Sequence, residues 1–168
     1  MQPVRNITLV GMPASGKSTL GTALATRLGW AFVDLDVVIS QGEGRHYSAV
    51  LTEVGPDRFL DLEADYAARL NVDRSVIAPG GSVVYRDRAM EHLRTISRVV
   101  HLHVPLEVLK RRVGDLVARG VVLGPGMTFA DLYAQRTPLF ARWAHETVVN
   151  EEEERTVERL VEIAMSLA

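Results

Sequence analysis

The chain has 168 residues, 47% of them hydrophobic and 24% charged, with 19 basic against 21 acidic side chains and no cysteine. That balance fits a single globular unit over residues 1–168, and it excludes a disulfide framework, a thiol nucleophile and any thiolate metal site. A net charge of −2 offers no basic field for nucleic acid, and no apolar run approaches the roughly eighteen residues of a membrane span.

Met1–Arg5 leads directly into a β-branched run, without the apolar stretch and cleavage site of a signal peptide. A cytoplasmic monomer acting on a small molecule, with no nucleic-acid or membrane partner, is therefore expected. Ile7–Val10 reads as a buried strand that breaks into the loop Gly11-Met12-Pro13-Ala14-Ser15-Gly16. Lys17–Leu28 has apolar residues at helical spacing and stops at Gly29. Ala31–Val33 is a second strand, ending in Asp34-Leu35-Asp36. Tyr47–Val54 and Asp57–Leu70 read as helices, and Ser75–Ala78 as a strand stopped by Pro79-Gly80-Gly81. The helix Asp87–Ile96, the strand Arg98–Val104 and the helix Leu106–Val113 follow. Gly114–Met127 is a glycine-punctuated stretch, then come the helix Phe129–Ala144, the strand Thr147–Val149 and the helix Glu153–Leu167. Strands alternating with helices predict an α/β fold, a mostly parallel sheet covered on both faces. Glu151–Glu154, the one like-charge run, falls at a strand-to-helix junction, where acidic residues suit the first helical turn.

Gly11-x-x-x-x-Gly16-Lys17-Ser18 matches the P-loop pattern, placed after an apolar strand and at a helix start, as phosphate binding requires. Glycines let backbone N–H groups converge on phosphate oxygens, and the helix N-terminus adds a favourable dipole. Lys17 reaches the terminal phosphates in this reading, and Ser18 ligates Mg²⁺. Gly11 to Thr19 are the candidate contacts to a nucleoside triphosphate.

Asp34 and Asp36 stand two apart, a spacing that points both to one side if the chain is extended. One could hold Mg²⁺ through water while the other accepts the proton of an attacking hydroxyl; the plainer alternative is a pair that caps the next helix. Gly80-Gly81 either permits close backbone approach to a ligand or makes a tight turn. His101 and His103 alternate on a strand and read as partly buried or packed at its edge; Trp30 and Trp143 read as packing residues. Arg119 lies within the 114–127 stretch, which reads as a lid able to close over phosphates; Arg112 and Arg136 flank it.

These elements, in this order, resemble the shikimate kinase family. The resemblance is carried by Gly11–Ser18, Asp34-Leu35-Asp36, Gly44-Arg45, Gly55 with Phe59 and Glu63, Gly80-Gly81, Arg112, Arg119 and Arg136-x-Pro138-Leu139. It implies a P-loop NTPase fold of the nucleoside-monophosphate-kinase type with a lid, using ATP and Mg²⁺. By the same resemblance, Lys17, Asp36 and Arg119 are catalytic, Asp36 serving as base and Arg119 as lid arginine. Ser18 and Asp34 place the metal, and Arg112 stacks on adenine. Phe59, Leu60, Glu63, Gly80, Gly81 and Arg136 line the acceptor site, with Arg136 on its carboxylate.

One departure falls on that site. The family's Phe-Arg-x-x-Glu segment reads Phe59-Leu60-Asp61-Leu62-Glu63, so an arginine that helps grip the carboxylate is a leucine. Arg58 cannot substitute directly, because residues two apart on a helix do not share a face. The expected activity is MgATP-dependent phosphoryl transfer to a hydroxyl of a small polar metabolite, shikimate or a related compound. The alternatives are a nucleotide-binding regulatory protein of the same fold, or a kinase for a sugar acid or amino alcohol.

Overall fold

Asn6–Val10 forms β1, buried along its whole length, as a strand must be when it has neighbours on both edges and helices on both faces. The computed structural model describes residues 5–114, 121 and 123–167. Strands β2 (Ala31–Asp34), β3 (Ser75–Ala78), β4 (Arg98–His103) and β5 (Glu146–Val149) complete a sheet of order β2-β3-β1-β4-β5. Every pairing is parallel, as the strand–helix alternation predicts.

The helices are α1 (Lys17–Leu28), α2 (Leu35–Glu43), α3 (Tyr47–Val54), α4 (Pro56–Ala68), α5 (Asp87–Ile96), α6 (Leu106–Val113), α7 (Phe129–Trp143) and α8 (Glu153–Met165). Alternate strand residues face opposite layers. Ile7, Leu9, Val76 and Val100 pack with Leu20 and Leu24 of α1 and Leu160 and Ile163 of α8. On the other side Val10, Ile77 and Val99 pack with Ile39 of α2, Phe59 of α4, Met90 and Leu93 of α5 and Phe140 of α7. From β1 the sheet extends to β3 on one side and to β4 on the other. The loop leaving β1 thus opens at a topological switch point, where open α/β sheets bind ligands.

Two elements differ from the sequence reading. Asp34-Leu35-Asp36 does not continue as an extended segment: Asp34 ends β2 and caps α2, its Oδ1 accepting the Asp36 N–H at 2.9 Å. The apolar pair Leu35 and Ile39, four apart and fully buried, holds that helix to the core. Gly81–Tyr85, left without structure in the sequence reading, is a 3₁₀ turn. Boundaries shift by one or two residues elsewhere; α4 begins at Pro56, whose missing N–H costs nothing in a first turn. His101 is not at a sheet edge. It sits on β4, between β1 and β5, with its ring buried 5.3 Å from that of Phe140.

Candidate active site

The turn from β1 into α1 forms a phosphate cradle by backbone geometry. Gly16 precedes the helix in the left-handed region at φ 97°, and no side chain caps the first turn, which leaves its N–H groups for an anion. A Cβ at Gly11 would lie 2.8 Å from the Leu102 carbonyl, and one at Gly16 would lie 2.8 Å from Asn150 Nδ2, so only glycine fits either position. Lys17 folds back over the loop, its Nζ donating to the Gly11 and Met12 carbonyls at 2.9 Å each. A cavity of about 470 Å³ opens above, lined by Ala14, Gly16, Lys17, Ser18, Thr19, Arg112, Asn150 and Glu153 among others. The predicted contacts Met12, Pro13 and Ser15 do not present side chains there. Met12 is in the core, Pro13 faces a second cavity, and Ser15 is fully buried. Their backbone alone is available to phosphate.

The second cavity, of about 590 Å³, adjoins the first, because Lys17 and Ser18 line both. It gathers Asp34 and Asp36 from the β2–α2 junction, Phe59, Leu60 and Glu63 from α4, Gly80 and Gly81 after β3, and Arg136 from α7. Both aspartates thus line the site, Asp34 as the cap of α2 and Asp36 from the first turn of that helix rather than from a strand. Glu63 lies four residues after Phe59 and three after Leu60, which places each of them beside it on α4. The paired glycines answer a steric demand: a Cβ on Gly80 would run into Glu63 Oε1, and one on Gly81 would lie 2.8 Å from an Arg136 terminal nitrogen.

Electrostatics follow from that crowding. Burial, then the Asp36 charge, push the Glu63 carboxyl up to about 7, although Ser82 Oγ donates to Oε2 at 2.6 Å and the Gly80 backbone also donates to it. Burial and the neighbouring Asp34 raise Asp36 to about 6. Burial and Arg136 lower Lys17 to about 8, against the pull of Asp36, Asp34 and Glu63. Arg136 is itself buried; its Nε donates to the Tyr85 hydroxyl at 3.1 Å, and the guanidinium lies 5.2 Å from the centre of the Tyr85 ring.

Among the described residues, no three His, Cys, Asp or Glu side chains gather as a metal cage. Ser18 and Asp34 both line the second cavity, beside the phosphate cradle. A hydroxyl and one carboxylate beside phosphate oxygens fit Mg²⁺, which keeps several waters and takes few protein ligands.

Of the 114–127 lid reading, residues 115–120, Arg119 among them, and residue 122 lie outside the described residues, while Val121, Gly124 and Met127 line the second cavity. Arg58 is exposed and does not line it. The sequence reading missed three contributors. Tyr85 orients Arg136 and donates to Gln135 Oε1 at 2.6 Å. Ser82 holds Glu63. Asn150 braces the phosphate loop: Nδ2 donates to the Ser15 carbonyl at 2.9 Å and Oδ1 accepts from Thr156 Oγ1 at 3.2 Å. The only sequence signals for these were a hydroxyl after Gly80-Gly81, an aromatic beyond it, and a lone amide ahead of the glutamate run.

The shikimate kinase family model matches residues 13–166. A shikimate kinase of Nitratidesulfovibrio vulgaris is 36% identical over 156 residues, covering 86% of each chain. One from Paracidovorax citrulli is 37% identical over 98% of this chain and 93% of the other. Among solved structures, the shikimate kinase of Acinetobacter baumannii in complex with shikimate is similar at a TM-score of 0.86 and 27% identity, over 97% of this chain and 94% of that one.

Proposed function

From the premise that the chain belongs to the shikimate kinase family, we propose that it transfers the γ-phosphoryl group of ATP to a hydroxyl of shikimate. The observation that carries this reading is the shared wall of the two cavities: Lys17 and Ser18 line both, so a phosphate held on one side meets an acceptor held on the other. The P–O bond between the β- and γ-phosphates breaks as a new P–O bond forms to the acceptor oxygen. Asp36 takes the hydroxyl proton, and ADP leaves.

Arg136 binds the acceptor carboxylate, held in place by Tyr85 at Nε so that its terminal nitrogens face the cavity. Phe59, Leu60, Glu63 and the backbone of Gly80 and Gly81 form the rest of the acceptor surface. Lys17 and the loop amides neutralise charge on the transferring group, and positioning with electrostatics supplies most of the rate. Ser18 and Asp34 would hold Mg²⁺, which would supply further charge neutralisation at the phosphates. Arg112 stacks on adenine. Arg119, carried by the family resemblance, completes the phosphate contacts from the lid. The whole chain acts as one kinase unit. A protein that only binds nucleotide has no need of Asp36, Glu63 and Arg136 in a second cavity, which disfavours the regulatory alternative.

The test is ADP release with MgATP against shikimate, quinate, gluconate and hydroxy amino acids, with the phosphorylated product identified by mass. Turnover of shikimate above the others supports the reading. Shikimate-independent ADP release, or phosphorylation of another acceptor alone, refutes it.

A further inference from the structure

A second guanidinium lines the acceptor cavity where the family arginine is missing. Arg86 follows Tyr85 at the end of the 3₁₀ turn that starts at Gly81. Its side chain spans from that turn to α4: Nε donates to Asp61 Oδ1 at 2.7 Å, and a terminal nitrogen reaches the Asp57 carbonyl at 3.4 Å. Asp57 and Leu60 line the same cavity, and Asp61 is the residue after Leu60. The guanidinium therefore lies against the stretch of helix whose residue 60 carries no charge.

Its hydrogen bonding is uneven. The Nε bond to Asp61 is short, whereas among the described residues both terminal nitrogens reach only backbone carbonyls, Tyr85 and Asp57, at 3.4 Å each. Charge-assisted bonds between a guanidinium and a carboxylate close to about 2.7–2.9 Å and are roughly twice as strong as neutral ones. A ligand carboxylate at this wall displaces those long contacts without disturbing the Asp61 anchor. Arg86 keeps 31% of its side chain exposed, whereas Arg136 is buried.

We propose that Arg86 is a specificity-determining residue that binds the acceptor's carboxylate together with Arg136, supplying the second guanidinium that Leu60 does not. The inference rests on the acceptor being the hydroxylated carboxylic acid proposed above. It extends that reading by assigning the carboxylate two arginines from different elements, the 3₁₀ turn and α7.

The experiment compares Arg86→Ala and Arg86→Lys with the parent chain on shikimate and on its uncharged methyl ester, at saturating MgATP. Loss of one charge-assisted bond raises KM for shikimate about ten- to a hundredfold in Arg86→Ala. The expected result is that rise, with kcat and the KM for ATP within about twofold of the parent, partial recovery in Arg86→Lys, and no penalty on the ester. An equal penalty on acid and ester assigns Arg86 a role in holding the turn against α4 and overturns the inference, as does an unchanged shikimate KM. Arg86→Lys, which keeps charge and stem, decides the case if Arg86→Ala does not fold. Absence of shikimate turnover in the parent chain overturns the acceptor reading itself, and the Arg86 assignment with it.

Discussion

Replacing Glu63 by glutamine isolates the cost of holding a carboxylate in the acceptor cavity. Glu63 is 1% exposed, and its pKa rises from 4.5 to about 7 on folding. The folded chain thus holds a proton that the unfolded chain has released between those values. Stability from this group is fully present below pH 4.5 and is lost as pH rises through about 7. At 1.36 kcal/mol per unit, the total is about 3 kcal/mol, most of which falls between pH 5 and pH 8. Glutamine is neutral throughout and keeps an oxygen for the Ser82 hydroxyl, so Glu63→Gln escapes this loss. In a chain of this size about 1 kcal/mol moves Tm by 2–4 °C. The Tm difference, variant minus parent, should therefore grow by about 5–10 °C between pH 5 and pH 8 without ligand. Differential scanning calorimetry across that range measures it, and other titrating groups cancel between the two proteins. A difference independent of pH would show that Glu63 ionises freely in the folded chain and would refute the reasoning.

In the Arg86→Ala background, Leu60→Arg should lower KM for shikimate by about tenfold or more, since it places a guanidinium on the face of α4 that carries Glu63; no gain there would sink the argument that the leucine costs carboxylate affinity. Lys17→Ala should cut kcat by about 10²–10³-fold or more with Tm nearly unchanged, and Asp36→Asn by about 10²–10⁴-fold; near-normal turnover in either contradicts its assigned role. Because Asp36 must be ionised to take a proton and titrates at about 6, kcat/KM for the acceptor should climb as pH rises through that value and then level. A profile falling over that interval would remove Asp36 as base. Gly80→Ala meets no backbone strain at φ −60°, only the Glu63 carboxylate, so it should weaken acceptor binding while leaving the KM for ATP unchanged; equal losses for both substrates would count against a local clash.

The phosphate loop was legible in the residues because its chemistry is local. A strand, a glycine-permitted turn and a helix start are contiguous, and their spacing alone predicts where N–H groups converge. The strand–helix alternation gave the parallel sheet for the same reason, each element's periodicity being a property of a short stretch. Asp34 and Asp36 show the limit of such reading: the pair was seen, but the Asp34 cap and the buried Leu35 and Ile39 turn the second aspartate onto a helix.

What the sequence alone determined was therefore the fold class, the nucleotide loop and the family it resembles. What only the tertiary structure decided was how the acceptor cavity is completed. Residues 63, 82, 85, 86 and 136 come from three separate elements, and their pairings form only when α4, the 3₁₀ turn and α7 pack together. Tyr85 has no reason to orient Arg136 until 51 residues of chain bring them together. Likewise, Arg86 reads as one more surface charge until Asp61 draws it against the wall beside Leu60. Burial is the physical cause in each case: desolvation makes Glu63 protonatable near neutrality and gives Arg136 its strength, and burial is set by the packed layers rather than by any local run of residues.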